Sequence, residues 1–126
     1  MTNAIQFIKD HGVEKAREVV DGAPEGITHY CHGSYWNWDG EVLKRCLGKG
    51  FFIVSIYGIT SEWENEAVRL SDLKRLVESI DLVESWGGIE AVKRYDLEPC
   101  KNKPESAGYR LVQAIADYEA IGGEHV

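Results

Sequence analysis

Apolar positions recur at helical spacing toward both ends of the chain and at strand spacing in the middle. Over residues 3–21, Ile5, Phe7 and Ile8, then Val13, Ala16, Val19 and Val20, line one face of a helix that breaks or bends at Gly12. Asn3 is placed to cap this helix, because its side-chain oxygen can accept an early backbone N–H. Gly22-Ala23-Pro24-Glu25-Gly26 is a loop by composition. Residues 27–38 are rich in Thr, Tyr, Trp and Ile, which suit a pleated surface. Asp39-Gly40 is a two-residue hairpin signal, since a type I′ turn needs positive φ. Residues 42–47 return as a strand or form a short helix. Phe51 to Gly58 is the strongest strand in the chain, and residues 66–70 can add a short edge strand.

The period then changes back. Ser71 can cap a helix that Asp72 favours at its N-terminus. Leu73, Leu76, Val77, Ile80, Leu82 and Val83 make its buried stripe. Gly87-Gly88 stops it, and Ile89 to Tyr95 begins another. Pro99 to Pro104 is a polar loop. Glu105 to Ile121 is the last helix, with Leu111, Val112, Ile115 and Tyr118 inward, and Gly122-Gly123 ends it. One phrase occurs twice, as Gly12-Val13-Glu14-Lys15-Ala16 and as Gly88-Ile89-Glu90-Ala91-Val92. Each copy follows a helical stretch, so both read as helix–glycine–helix corners. The order helix, strands, helices predicts one α+β domain over residues 1–126. It has N-terminal helices, a small antiparallel meander, and two to three C-terminal helices packed on it.

The chain has 126 residues, 44% of them hydrophobic and 28% charged, enough for one real core. The net charge of −7 lies almost wholly in residues 61–126, which hold 14 acidic against 8 basic groups. That balance disfavours nucleic acid, which needs Lys and Arg to displace counterions. Lys9 and Asp10 interrupt the early apolar stretch, so no secretory leader is expected. Phe51 to Ile59 is too short to span a bilayer as a helix, so no membrane partner is expected. Three widely spaced cysteines, Cys31, Cys46 and Cys100, read as free thiols of a cytoplasmic protein.

Candidate chemistry is sparse. His29-Tyr30-Cys31-His32 is the one local cluster of metal-ligand types. On a strand, His29 and Cys31 share a face and His32 points away. Cys46 or Cys100 could join them, giving a metal-stabilised domain on His29, Cys31 and Cys46. Neither has a second ligand at the spacing a structural zinc site uses, so ordinary strand residues, and no metal, is the preferred reading. Tyr35, Trp36 and Trp38 form an aromatic cluster beside Asp39-Gly40 and are the candidate partner-binding residues. The competing and preferred reading puts Trp36 and Trp38 under the helices as core. The basic pairs Lys44-Arg45, Lys74-Arg75 and Lys93-Arg94 read as solvated charges rather than a phosphate-binding patch. Phosphate loops, nucleophile elbows, paired metalloprotease histidines and dinucleotide glycine patterns are all missing from the sequence. His11, His29 and His32 carry no catalytic context, and His125 is expected in a frayed tail. The expectation is therefore a protein without catalysis and without a cofactor.

The phrases Leu70-Ser71-Asp72-Leu73-Lys74-Arg75-Leu76-Val77-Glu78-Ser79 and Leu82-Val83-Glu84-Ser85-Trp86-Gly87-Gly88-Ile89-Glu90 resemble small accessory proteins of enterobacterial lambdoid phages and prophages. So do Ile8 to Ala16 with Gly22-Ala23-Pro24, and Ala114 to Glu119. The resemblance covers the two ends and not the strand region, and it carries no functional residue over. It implies a cytoplasmic protein of an infected or lysogenic bacterium, dispensable for building the particle. Its partner would be a host or phage protein, with homo-oligomerisation as a further expectation. The alternative is a helix-turn-helix DNA-binding regulator using residues 73–96. There, however, Glu90 and Asp96 would face phosphates.

Overall fold

The computed structural model describes residues 2–48, 50–95, 103 and 107–122. The chain runs α1 (Thr2–His11), α2 (Val13–Asp21), β1 (His29–Cys31), β2 (Ser34–Trp38), β3 (Leu43–Leu47) and β4 (Gly50–Ser55). It continues through α3 (Ser61–Glu66), β5 (Val68–Arg69), α4 (Leu70–Ser85), α5 (Ile89–Val92) and α6 (Ala107–Ile121). The α+β class and the order of its parts are as the hydrophobic pattern predicts. The expected polar loop at 99–104, apart from Lys103, lies outside the described residues, as do Cys100, Gly123 and His125. No helix among the described residues is long and apolar enough to cross a membrane.

The core is built between helices. α4 presents Leu73, Leu76, Val77, Ile80 and Val83 to Ala4 and Ile8 of α1, Ala16 and Val19 of α2, and Leu111, Ala114, Tyr118 and Ile121 of α6. These positions follow the helical repeat, so each helix buries one stripe and leaves the opposite side polar. Val112 and Ile115, expected inward, are only partly buried, because the α6 face that meets α4 is centred on Ala114 and Tyr118. The sheet contributes Val68 to this core, together with the half-buried Tyr30 and Tyr35.

Polar ties hold the helices in register. Asp117 of α6 is buried and accepts from Arg75 Nε at 3.1 Å, Arg75 NH2 at 3.2 Å and Ser79 Oγ at 2.7 Å. The Arg110 guanidinium donates to the same Ser79 hydroxyl at 3.1 Å. A second fork joins Arg17 of α2 to Asp81 of α4 at 2.8 and 2.9 Å, and this bond holds the Asp81 carboxyl below its ordinary pKa.

The two corners found in the sequence share one backbone conformation. Gly12 has φ 88° and ψ 163°, and Gly88 has φ 99° and ψ 173°. This region is essentially restricted to glycine. Gly87, at φ 96°, ends the preceding helix, so the second corner uses two glycines where the first uses one. The helix that follows is shorter than expected: α5 stops at Val92 instead of continuing to Tyr95.

The sheet is antiparallel throughout, in the order β4-β3-β2-β1-β5. Residues 42–47 resolve to strand, and the edge strand expected at 66–70 is β5. Other local expectations are corrected. Cys31 pairs with Ser34, and the two residues between them, His32 at φ 50° and Gly33 at φ 77°, both have the positive φ of a type I′ turn. The segment 27–38 is thus a hairpin in itself. Asp39-Gly40 belongs instead to a longer loop, in which the Asp39 carboxylate accepts from the backbone N–H groups of Glu41 and Val42 at 2.8 and 2.9 Å. Asn3 does not cap α1. It sits inside the helix, and its Nδ2 donates to the Ala67 carbonyl at 2.7 Å, tying α1 to the start of β5. Ser71 does not cap α4 either, because the helix already begins at Leu70 with extended Arg69 as its N-terminal boundary.

An added Cβ at Gly12 or Gly88 would meet no atom within 4 Å, so any cost of alanine there is backbone strain alone. Gly12→Ala and Gly88→Ala should each lower unfolding stability by about 1–3 kcal/mol, measured by urea titration. Variants as stable as the parent would refute the corner assignment. Asp117→Ala should cost about 2–3 kcal/mol, since it strips the acceptor from a fully buried Ser79 while Arg75 can still turn to water. An unchanged urea midpoint would show that the network contributes nothing net.

Candidate functional site

Alternation along the strands sorts the middle of the chain onto two faces. Tyr30 pairs with Tyr35, and both turn toward the helices. The Phe7 ring meets Tyr30 edge-on at 5.8 Å, and the Tyr35 hydroxyl donates to the Val19 carbonyl at 2.8 Å. Burial raises the Tyr35 pKa. His29, paired with Trp36, lies on the opposite face with Trp38. The aromatic cluster of the sequence is therefore split. Tyr35 is the residue that packs on the core of α1, α2, α4 and α6, whereas Trp36 and Trp38 lie on the other face of the sheet, the one that α3 covers, which corrects the expectation that the two tryptophans underlie the main helical layer. A one-residue difference in position decides this, because successive strand side chains point to opposite sides.

That second face has its own cover. Trp63 of α3 stands 6.0 Å from the Trp36 ring and 5.1 Å from the His29 ring, and the Arg45 guanidinium lies 5.8 Å from the centre of the Trp36 ring. The Trp36 Nε1 donates to the Cys31 carbonyl at 3.1 Å. Trp38 borders a cleft of about 780 Å³ shared with Asn3, His29, Trp63, Arg69 and Asp72. His29 is half-enclosed there and shares a 2.8 Å hydrogen bond with the Thr28 hydroxyl. Burial, reinforced by the Arg69 charge, pushes its pKa down against the opposing pull of Asp72.

Beyond Trp36 and Trp38 the sheet runs out from under its cover. β3 and β4 form a hairpin whose outer strand, β4, is the edge of the sheet. Among the described residues its outer edge has no strand partner. Arg45 opposite Phe52 and Cys46 opposite Phe51 show that neighbouring β4 side chains leave by opposite faces. Both sets are exposed: Phe52 57%, Ile53 65% and Val54 54%, followed by Ile56 58% and Tyr57 94%. Residues 50–60 contain no charged side chain. An uninterrupted apolar run is the pattern of a strand covered on both sides, yet this strand is uncovered on both. Natural edge strands usually carry charges, proline or a short length to block pairing, and β4 has none of these. A bulge between Leu43 and Lys44 is the one irregularity in its pairing. The sequence shows the strand but not its position in the sheet, so this surface is not legible there.

One member of each basic pair is already engaged. Arg75 is engaged with Asp117, Lys93 lies 3.2 Å from Glu119, and Arg45 donates to Ser34 Oγ at 2.9 Å on the sheet. Within residues 73–96, α4 spends its apolar stripe on the core, and α5 is only four residues long with Val92 buried. The ligand set His29, Cys31 and Cys46 is not assembled. His29 is held by Thr28 and Trp63, and Cys46 leaves β3 by the face opposite to Arg45. Cys31 instead lies with His32 and Glu66. Burial, followed by the Glu66 charge, raises the Cys31 thiol pKa.

No protein-family model matches the chain, and neither a curated protein nor a solved structure matches it significantly.

The depressed pKa of His29 has a stability consequence. The folded state disfavours the imidazolium, so its contribution is fully present above the ordinary histidine value of 6.5 and is lost as pH falls through the lower folded value. Between about pH 7 and pH 5 the parent should therefore lose more melting temperature than His29→Gln does. Equal losses in the two proteins would refute the assignment.

Proposed function

We propose that this is a phage- or prophage-encoded accessory protein that acts by binding another protein, and that β4 is the strand it offers. The observation that carries the reading is the open β4 edge, apolar on both faces and uncharged from residue 50 to residue 60. A sheet edge of this kind recruits an extended segment: main-chain hydrogen bonds supply affinity, and alternate side chains supply selectivity. The partner is an apolar extended stretch of a host or phage protein. Its side chains would lie beside Phe52 on one face and beside Phe51 and Ile53 on the other.

The exposed large side chains between Leu47 and Tyr57 offer on the order of 800 Å², at roughly 150–250 Å² for a fully exposed aromatic and somewhat less for an aliphatic side chain. A standard stable interface takes roughly 800 Å² from each partner. The quantity of surface, taken over both faces of the hairpin, is therefore of the order that a specific complex uses. The division of the chain fits the same reading. The segments that resemble lambdoid-phage accessory proteins lie in the helical ends, which build the core, while the outer hairpin belongs to the strand region outside that resemblance. In this reading the protein works in the bacterial cytoplasm as a binder, without catalysis.

Ile53→Lys tests it. Ile53 is 65% exposed, so the melting temperature should stay within a few degrees of the parent. A charge on the strand should block edge pairing. The expected result is that a protein captured from infected-cell lysate by the parent is lost with Ile53→Lys, and that its binding is reconstituted with the purified partner. Light scattering on the parent alone separates out self-pairing: a dimer abolished by Ile53→Lys would make a second copy the occupant. Parent and variant capturing the same proteins equally would overturn the assignment of β4.

A further inference from the structure

We propose that Cys31, His32 and Glu66 form a binding site for a divalent transition-metal ion of the zinc class. Their sulfur, ring-nitrogen and carboxylate ligand atoms lie within 4.8 Å of one another. A tetrahedral ion with ligand bonds of about 2.0–2.3 Å holds its ligands about 3.3–3.6 Å apart, so modest side-chain rotation closes the set. Two segments of the chain bring the donors together, the β1–β2 hairpin and the end of α3. Cys31 ends β1, His32 is the first residue of the type I′ turn, and Glu66 is the last residue of α3.

Two of these residues break a local rule where they stand. His32 is the one non-glycine residue with positive φ among the described residues, at a turn position where Asn or Gly is the preferred occupant. Glu66 puts a carboxylate at a helix C-terminus, the end that disfavours negative charge. The His32 ring and the Glu66 carboxylate nevertheless meet in a direct hydrogen bond. Their side chains are 71% and 55% exposed, and an ion pair that open to water stabilises too little to account for both departures. Local rules tend to be broken where a site requires it. The buried thiol beside the pair supplies the third donor that a surface ion pair has no use for.

The donor set selects the ion. One thiolate, one imidazole and one carboxylate suit zinc or cobalt(II), whereas calcium and magnesium take all-oxygen shells. On binding, the Cys31 thiol releases its proton to solvent, and the ion replaces the direct His32–Glu66 hydrogen bond, with a neutral imidazole nitrogen and a carboxylate oxygen as its ligands. The three residues border a cleft of about 650 Å³ that Asp10 and His11 of α1 also line, so the fourth position opens toward further donors or a water. The ion would clip the β1–β2 turn to the end of α3. This site is independent of the β4 reading.

Cobalt(II) titration of the reduced, chelator-treated full chain tests it. The expected result is one equivalent bound with a thiolate-to-cobalt charge-transfer band, and that band lost in Cys31→Ser. His32→Asn should weaken binding at least tenfold. Its metal-free melting temperature should hold or rise, because Asn-Gly suits the turn better than His-Gly, so loss of binding there cannot be ascribed to unfolding. Zinc should raise the melting temperature of the parent and not that of His32→Asn. A titration without a charge-transfer band would overturn the proposal. So would a band and affinity unchanged in both Cys31→Ser and His32→Asn, which would place the ion on another cysteine.

Discussion

The structure depends on the apolar stripe of α4. Leu73, Leu76, Val77, Ile80 and Val83 come at intervals of three and four residues, and together they share one core with buried residues of α1, α2 and α6. Removing water from this stripe is the main source of stability available to a chain of this size. The polar ties are arranged around it. Arg75 and Ser79 lie on the flank of α4 that meets Asp117, and Asp81 lies on the flank that meets Arg17. These contacts add little net energy compared with the apolar burial, but they fix the helices in one rotation about their axes.

Because the core is satisfied between helices, the sheet is only partly covered. Tyr30 and Tyr35 reach the helical layer, and Trp63 covers Trp36 and His29 on the other side. Neither cover extends to β4. A protein that needed its sheet only for stability would place a polar strand at that edge. The uncharged apolar β4 is the surface on which the proposed interface role of the outer hairpin rests.

The turns show how local chemistry and tertiary context divide the work. Asp39-Gly40 has the composition of a type I′ turn, yet its loop is stabilised by the Asp39 carboxylate accepting two backbone N–H groups, and Trp38 pairs with Leu43 across a four-residue loop. His32-Gly33 has the weaker composition and the true two-residue geometry. Cross-strand pairing of His29 with Trp36 and Tyr30 with Tyr35 sets that register, and the turn residues accept it. The same register brings His32 within reach of Glu66.

Sequence alone determined the elements and the corners. Helical spacing located α2, α4 and α6, the run from Phe51 located β4, and the repeated Gly-Val/Ile-Glu phrase located two corners of the same φ and ψ. Each of these is written in neighbouring residues, through side-chain period or the left-handed freedom of glycine. Tertiary structure alone decided which face of β2 meets the helices, that β4 lies at the edge, and that Cys31 joins His32 and Glu66 rather than His29 and Cys46. Those outcomes depend on strand order, on a register in which one residue reverses every side chain, and on a contact across 34 positions between His32 and Glu66. No local pattern in the sequence encodes them, because each is a relation between segments that meet only after the helices have closed around α4.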